Sequence, residues 1–187
     1  MPKLESSQRT RHFTESVIRE MTRLSDRHDG INLSQGFPDF PAPEAVKAAA
    51  REAIRADINQ YAVTWGAPRM RQAVAREFTR LYGVAVDPDA QVTVCCGSTE
   101  AMISTLLAVV DPGDEVVVFA PYFVEYLFYA DNHGGACKVV PWVEGFLPDM
   151  RAFEDAITPR TRVVLVNSPN NPTGVLYSDL VLGQLAE

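Results

Sequence analysis

From residue 91 onward the chain alternates short, almost wholly apolar runs with stretches of helical periodicity, and this alternation constrains the fold more than any other feature. The apolar runs are Gln91–Cys96, Glu115–Ala120, Ala136–Val140 and Arg162–Val166. The helical stretches between them are Ser98–Val110, Phe123–Asn132 and Asp149–Ala156. The runs do not alternate polar with apolar residues, which is the pattern of strands covered on both faces. Starts at 91, 115, 136 and 162 have the spacing of successive strand–helix–strand units joined by right-handed crossovers. The expected fold is therefore α/β, a mostly parallel sheet in a three-layer arrangement. A further helix is expected from Asp179, with neither a cap nor a closing strand after it, so the sheet reads as incomplete.

Upstream the pattern is helical. Phe13, Val17, Met21 and Leu24 predict an amphipathic helix over His12–Ser25, ended by Gly30. Residues 31–43 hold three prolines and Gly36, which exclude a regular helix or central strand and predict an extended loop. Pro43 suits the first turn of a helix reaching Ala56. Another helix is expected from Pro68, with Met70, Val74, Phe78 and Leu81 on one face.

Composition narrows the functional classes. Seventeen Lys and Arg against 24 Asp and Glu give a net charge of -7, which disfavours nucleic acid and anionic membranes as partners. Apolar runs such as Ala101–Val110 are too short to cross a bilayer. The first residues lack the apolar core of a signal peptide, so a cytoplasmic location is expected. Cys95, Cys96 and Cys137 are odd in number and two are adjacent, as in reduced core cysteines rather than a disulfide framework. His12, His28 and His133 have no metal-ligand spacing, and no metal is expected.

Three of the predicted strands end in unusual residues, and in open α/β sheets ligands bind outside the carboxyl ends of the strands. Gly97, Ser98 and Thr99 follow the first run and open a helix. Backbone N–H groups, the helix dipole and two hydroxyls would suit a phosphate there, although Ser98 or Thr99 could equally serve as an N-cap. Pro121-Tyr-Phe123 and Tyr126 follow the second run and offer an aromatic face to a planar ligand, or an ordinary core aromatic. Asn167, Asn170 and Asn171 follow the fourth run. A residue before proline is restricted to extended geometry, which would fix the direction of the Asn171 amide, while a plain turn explains the same residue types. Taken together, a phosphate seat, a flat aromatic and a fixed amide describe a site for a planar phosphorylated heterocycle.

Several segments in order, Asn32-Leu-Ser-Gln-Gly-Phe-Pro-Asp-Phe-Pro41, Asn59-Gln-Tyr-Ala62, Gly66-Ala-Pro-Arg-Met-Arg71, Gly97-Ser-Thr-Glu-Ala101, Asp111-Pro-Gly-Asp114 and Asn170-Asn-Pro-Thr-Gly174, resemble the fold-type I pyridoxal-phosphate-dependent aminotransferases of class I/II. The Leu33–Phe40 segment is most similar to the kynurenine, glutamine and methionine branch. The resemblance covers nearly the whole chain and implies an N-terminal fragment of such an enzyme. Residues 1–40 would contribute to its small domain and residues 41–187 form part of its cofactor-binding large domain. It implies pyridoxal 5'-phosphate as cofactor, an amino acid and a 2-oxo acid as substrates, and a homodimer. By the same resemblance the Gly97, Ser98 and Thr99 region would hold the phosphate, Phe123 would stack on the pyridine ring, and Asn171 would donate to the ring's 3-hydroxyl oxygen. Gly36 would lie against the substrate carboxylate, and Tyr61 would reach the phosphate of the neighbouring subunit. These types suit an electron-sink cofactor whose ring must be held in a fixed orientation.

The family also uses a Schiff-base lysine, an Asp on the ring nitrogen and a carboxylate-binding Arg, all of which lie well beyond the Asn-Pro-Thr-Gly turn. The only lysines are Lys3, Lys47 and Lys138, none at the family's position, so no catalytic residue is assigned and the chain alone is expected to be inactive. Two alternatives remain at this point: a non-catalytic half or partner subunit that binds the cofactor, and a β-lyase on the same scaffold. A nucleotide-binding domain fits poorly, because no Gly-x-Gly-x-x-Gly or Walker pattern follows the first run.

Overall fold

The computed structural model describes residues 5, 7, 15–36 and 38–187. The predicted helix start at His12 and Phe13 lies outside these residues, as do Lys3 and Phe37. The chain forms two compact units, one of residues 17–101 and one of residues 102–187 joined by the described residues before 17.

The 102–187 unit is built on a three-stranded parallel sheet. Its strands are β1 (Glu115–Phe119), β2 (Ala136–Val140) and β5 (Thr161–Leu165), in the order β2-β1-β5. Val118 faces Val139 on one side and Leu165 on the other, and a register shift falls between Glu115 and Val116 on the β5 side. The all-apolar central strand is buried along its whole length, and its side chains divide by the period of two. Val116 and Val118 point into a cluster with Leu106, Val110, Tyr129 and Ala130. These residues come from α4 (Gly97–Val109), the turn after it, and α5 (Glu125–Asn132). Val117 and Phe119 point the opposite way, with Val140 and with Phe153 of α6 (Met150–Ala156), while Leu185 of α7 (Asp179–Ala186) packs on their edge. The sheet is thus covered on both faces, as the apolar runs predicted. Each buried Val or Phe contributes roughly 1.5–3 kcal/mol of transfer free energy.

Two helices of this unit have side-chain caps. Asp149 accepts from the Ala152 N–H and Ser178 from the Val181 N–H, the side-chain N-caps of α6 and α7. A two-stranded antiparallel pair, β3 (Trp142–Val143) with β4 (Leu147–Pro148), encloses a 3-10 turn over Glu144–Phe146. Strands of two residues carry no readable periodicity, and none was expected here.

The amino edge of the sheet is held by a buried carboxylate. Glu115 accepts from Thr158 Oγ1 at 2.7 Å and from Arg160 Nη2 at 2.6 Å, with Lys138 Nζ at 3.7 Å. The Thr158 hydrogen bond, followed by Arg160, holds its carboxyl below the ordinary value of 4.5.

The 17–101 unit is helical: α1 (Val17–Arg27), α2 (Glu44–Arg55) and α3 (Pro68–Tyr82). The last two match prediction to within a residue at their starts. Pro68 opens α3 where its missing N–H costs nothing, and Gly83, at φ 69°, closes it with its N–H on the Thr79 carbonyl. The buried Arg71 ties the neighbouring loops together. Its Nε donates to the Gly66 carbonyl at 3.0 Å, and its Nη1 donates to the Pro88 carbonyl at 2.6 Å and to Asp89 Oδ1 at 2.7 Å. The apolar faces of α1 and α3 are left open, with Met21, Leu24, Met70, Val74 and Phe78 all exposed.

One expectation fails. The apolar run Gln91–Cys96 is not a strand but an extended segment, with Val94 donating its N–H to the Trp65 carbonyl at 3.0 Å. A strand is defined by a ladder partner, and among the described residues this segment has none.

Candidate functional site

Because β1 and β5 are adjacent and parallel, their carboxyl ends open on the same edge of the sheet. The segment 120–124 leaves β1 for α5, and the segment 166–178 leaves β5 for α7. These two loops hold Phe123 and Asn171, which the fold therefore brings to one edge.

The turn after β5 is closed on itself. Asn170 donates its N–H to the Val175 carbonyl at 2.9 Å, and its own carbonyl accepts from the Gly174 N–H at 2.7 Å. Gly174 has φ +72°, the left-handed region in which glycine carries no Cβ penalty. The Asn171 N–H donates to Asn167 Oδ1 at 2.8 Å, and the Tyr177 N–H donates to Ser168 Oγ at 2.9 Å. Asn171 itself is exposed while Asn170 is buried. The Asn170 side-chain amide donates to the Pro121 carbonyl at 3.0 Å and to Thr173 Oγ1 at 3.0 Å. One amide group therefore bonds the loop after β1 to the turn after β5. Sequence reasoning named Asn170 as a turn residue and missed this link, since its partner lies 49 positions away.

Phe123 is half-buried, with its ring edge-on to Tyr126 at a centroid separation of 5.8 Å. Tyr126 stands 6.4 Å from the core residue Tyr129. Burial is the main cause that pushes the Tyr126 phenol above its ordinary value. It likewise pushes the Cys137 thiol up to about 12, as an apolar surrounding disfavours a thiolate. All three cysteines are free.

The remaining predicted residues lie in the 17–101 unit. Gly97 opens α4 at φ +80°, and Ser98 and Thr99 are exposed in its first turn. The first turn of any helix presents N–H donors that the helix does not itself consume. Glu100 reaches back to accept from the Cys96 N–H, an acidic group where the dipole favours one. The expected strand before this helix is the extended segment already described, so Gly97–Thr99 do not follow a strand end. Tyr61 is fully exposed, in the loop whose far end, Gly66, is bonded by Arg71. Gly36 is exposed with open space at its Cβ position. Its loop is ordered by Asn32, whose Oδ1 accepts from the Ser34 N–H at 3.0 Å.

The two described lysines are engaged elsewhere. Lys47 pairs with Glu44 at 2.8 Å on α2, and Lys138 faces Glu115 at the opposite, amino edge of the sheet. Among the described residues no cluster of His, Cys, Asp and Glu could hold a metal ion, and no helix is long and apolar enough to cross a membrane.

Comparison with known proteins places these features in a family. Residues 28–187 match the family model of aminotransferase class I and II. A probable aspartate/prephenate aminotransferase of Thermus aquaticus is 45% identical over 161 residues, 85% of this chain and 42% of that protein. The methionine aminotransferase of Escherichia coli is 35% identical over 163 residues, 87% of this chain and 42% of that protein. Among solved structures, N-succinyldiaminopimelate aminotransferase from Mycobacterium tuberculosis superposes with a TM-score of 0.92 at 37% identity, covering 97% of this chain and 48% of that one. The chain spans about half the length of the curated relatives it matches. It belongs to the aminotransferase class I and II family.

Proposed function

We propose that the full-length protein transfers an amino group from an L-amino acid to a 2-oxo acid using pyridoxal 5'-phosphate, and that this chain supplies the seat for the cofactor. The observation that carries the reading is the pairing of Phe123 and Asn171 at the adjoining carboxyl ends of β1 and β5, tied by the Asn170–Pro121 hydrogen bond. The residues present suit the group chemically. A phosphate of roughly two negative charges needs donors, and the first turn of α4 offers N–H groups with the Ser98 and Thr99 hydroxyls. The half-buried Phe123 ring suits a stacked heteroaromatic, and the exposed Asn171 amide suits a ring oxygen. When bound, the cofactor supplies an electron sink for the substrate's α-carbon.

On this reading Phe123 and Asn171 hold the ring's plane and direction, so that the bond to be broken stands across it. Gly36 lies against the substrate carboxylate, and Tyr61 reaches the phosphate bound in the partner subunit of a homodimer. The Schiff-base lysine, the acidic partner of the ring nitrogen and the carboxylate-binding arginine come from sequence beyond this chain. Residues 1–40 serve the small domain, 41–187 the large one, and the protein works in the cytoplasm.

The test is reconstitution of the full-length protein with pyridoxal phosphate, followed by assay of 2-oxo acid formation across a panel of amino acids. Amino transfer is the expected outcome. Release of ammonia and pyruvate from a cysteine conjugate without amino transfer would replace it with the β-lyase reading. For the 187 residues alone, borohydride reduction in the presence of the cofactor is expected to leave no pyridoxyl label at a defined lysine.

A further inference from the structure

We propose that Asn170 is a positioning residue that sets the relative placement of Phe123 and Asn171, and so the affinity for the cofactor, without touching it. The inference rests on the reading of those two residues given above. It starts from a contrast between neighbours in sequence: Asn171 is exposed and Asn170 is 6% exposed. Both protons of the Asn170 amide are committed, one to the Pro121 carbonyl and one to Thr173 Oγ1. Its main-chain groups are committed as well, to Val175 and Gly174. Such a side chain has no donor left for a ligand.

The two ends of this connection are adjacent to the residues that matter. Pro121 lies two positions before Phe123, and Thr173 two positions after Asn171. Each loop leaves its own strand, and beyond the strand ends the ladder no longer relates them. One hydrogen bond of 3.0 Å, from the Asn170 amide to the Pro121 carbonyl, joins the two loops there, while the second, to Thr173 Oγ1 within the same turn, holds the amide in the direction that reaches Pro121, inside a buried site where an unmet donor or acceptor is costly. A displacement of either loop by an ångström would misalign a stacking ring against a directional amide, and orientation of this kind is what fixed geometry supplies.

The experiment uses the full-length protein, with affinity for pyridoxal phosphate measured by fluorescence titration of the apo form and stability of the apo form followed by circular dichroism. The variants are Asn170→Ala, Thr173→Val, Asn171→Ala and Asn170→Ala with Asn171→Ala. Asn170→Ala is expected to weaken the cofactor at least tenfold at temperatures where it is folded. Thr173→Val removes one of the two acceptors at nearly constant volume, keeps the test available if Asn170→Ala fails to fold, and is expected to give a smaller loss. The double variant is expected to be no weaker than Asn171→Ala by more than about twofold, because an unpositioned donor has little left to lose. Wild-type affinity in folded Asn170→Ala or in Thr173→Val, or losses that multiply independently in the double variant, would overturn the proposal. If Asn171→Ala and Phe123→Ala also leave the affinity unchanged, the cofactor reading of this edge has failed instead.

Discussion

Gly66 sits where a side chain has no room, and replacing it is the sharpest test of the 17–101 unit. Its φ is +107°, and a Cβ built there would lie 2.5 Å from Val94 Cγ2 and 2.6 Å from Val94 Cβ. Val94 cannot simply withdraw, because its N–H is bonded to the carbonyl of Trp65, the residue before Gly66. Gly66→Ala therefore combines two costs: roughly 1–3 kcal/mol for a sparsely populated backbone conformation and roughly 1–3 kcal/mol for overpacking. Gly83→Ala shares the positive φ, at +69°, but meets nothing within 4 Å, so only the backbone cost, about 1–2 kcal/mol, applies. The assay is urea unfolding of the chain carried on a tryptophan-free fusion partner. Trp142→Phe leaves Trp65, one of only two tryptophans, as a reporter beside the site. At a slope of about 2 kcal/mol per molar, Gly66→Ala should lower the midpoint by about 1–3 M, and Gly83→Ala by less than about 1 M. Introduced into Val94→Gly, which removes both Cβ and Cγ2, the Gly66 substitution should cost little more than the backbone term. Equal losses in Gly66→Ala and Gly83→Ala, or no relief from Val94→Gly, would refute the close-packing argument.

Three other outcomes follow from the structure. The Glu115 carboxyl is depressed in the folded state, so it stabilises the fold above the ordinary carboxylate value of 4.5 and loses that contribution as pH falls below it; Glu115→Gln should therefore unfold more easily than wild type at pH 7, with the gap between their thermal midpoints closing on acidification. With its thiol pushed up to about 12 by burial, Cys137 should resist iodoacetamide at pH 8 in the native chain and react on unfolding, whereas the exposed Cys96 should label first, as mass spectrometry of the digested protein would resolve. The open apolar faces of α1 and α3 should make the 187-residue chain self-associate when expressed alone, and Phe78→Glu with Leu81→Lys should reduce its light scattering; a monodisperse monomer without them would contradict this.

The contrast between two kinds of signal explains which parts of the molecule were legible beforehand. Helices α2 and α3 and strands β1, β2 and β5 are local patterns: a proline at a helix start, a 3.6-residue apolar period, an unbroken run of valines. Such patterns specify an element whatever surrounds it, and they sufficed for the parallel, doubly covered sheet. The residues that carry the family resemblance, from Leu33–Phe40 to Asn170–Gly174, were equally readable, since they are strings of residue types. Strandedness at Gln91–Cys96 was not readable, because Val92 and Val94 advertise a strand that exists only if another chain segment offers a ladder. Nor could the sequence show that Asn170 is buried and Asn171 exposed, since the two are identical side chains joined by one peptide bond. Their difference arises from Pro121, which only the pairing of β1 with β5 brings within 3.0 Å of the Asn170 amide. Local propensity and motif were determined by the sequence itself. Which amide is buried and which faces solvent was decided by contacts between residues far apart along the chain.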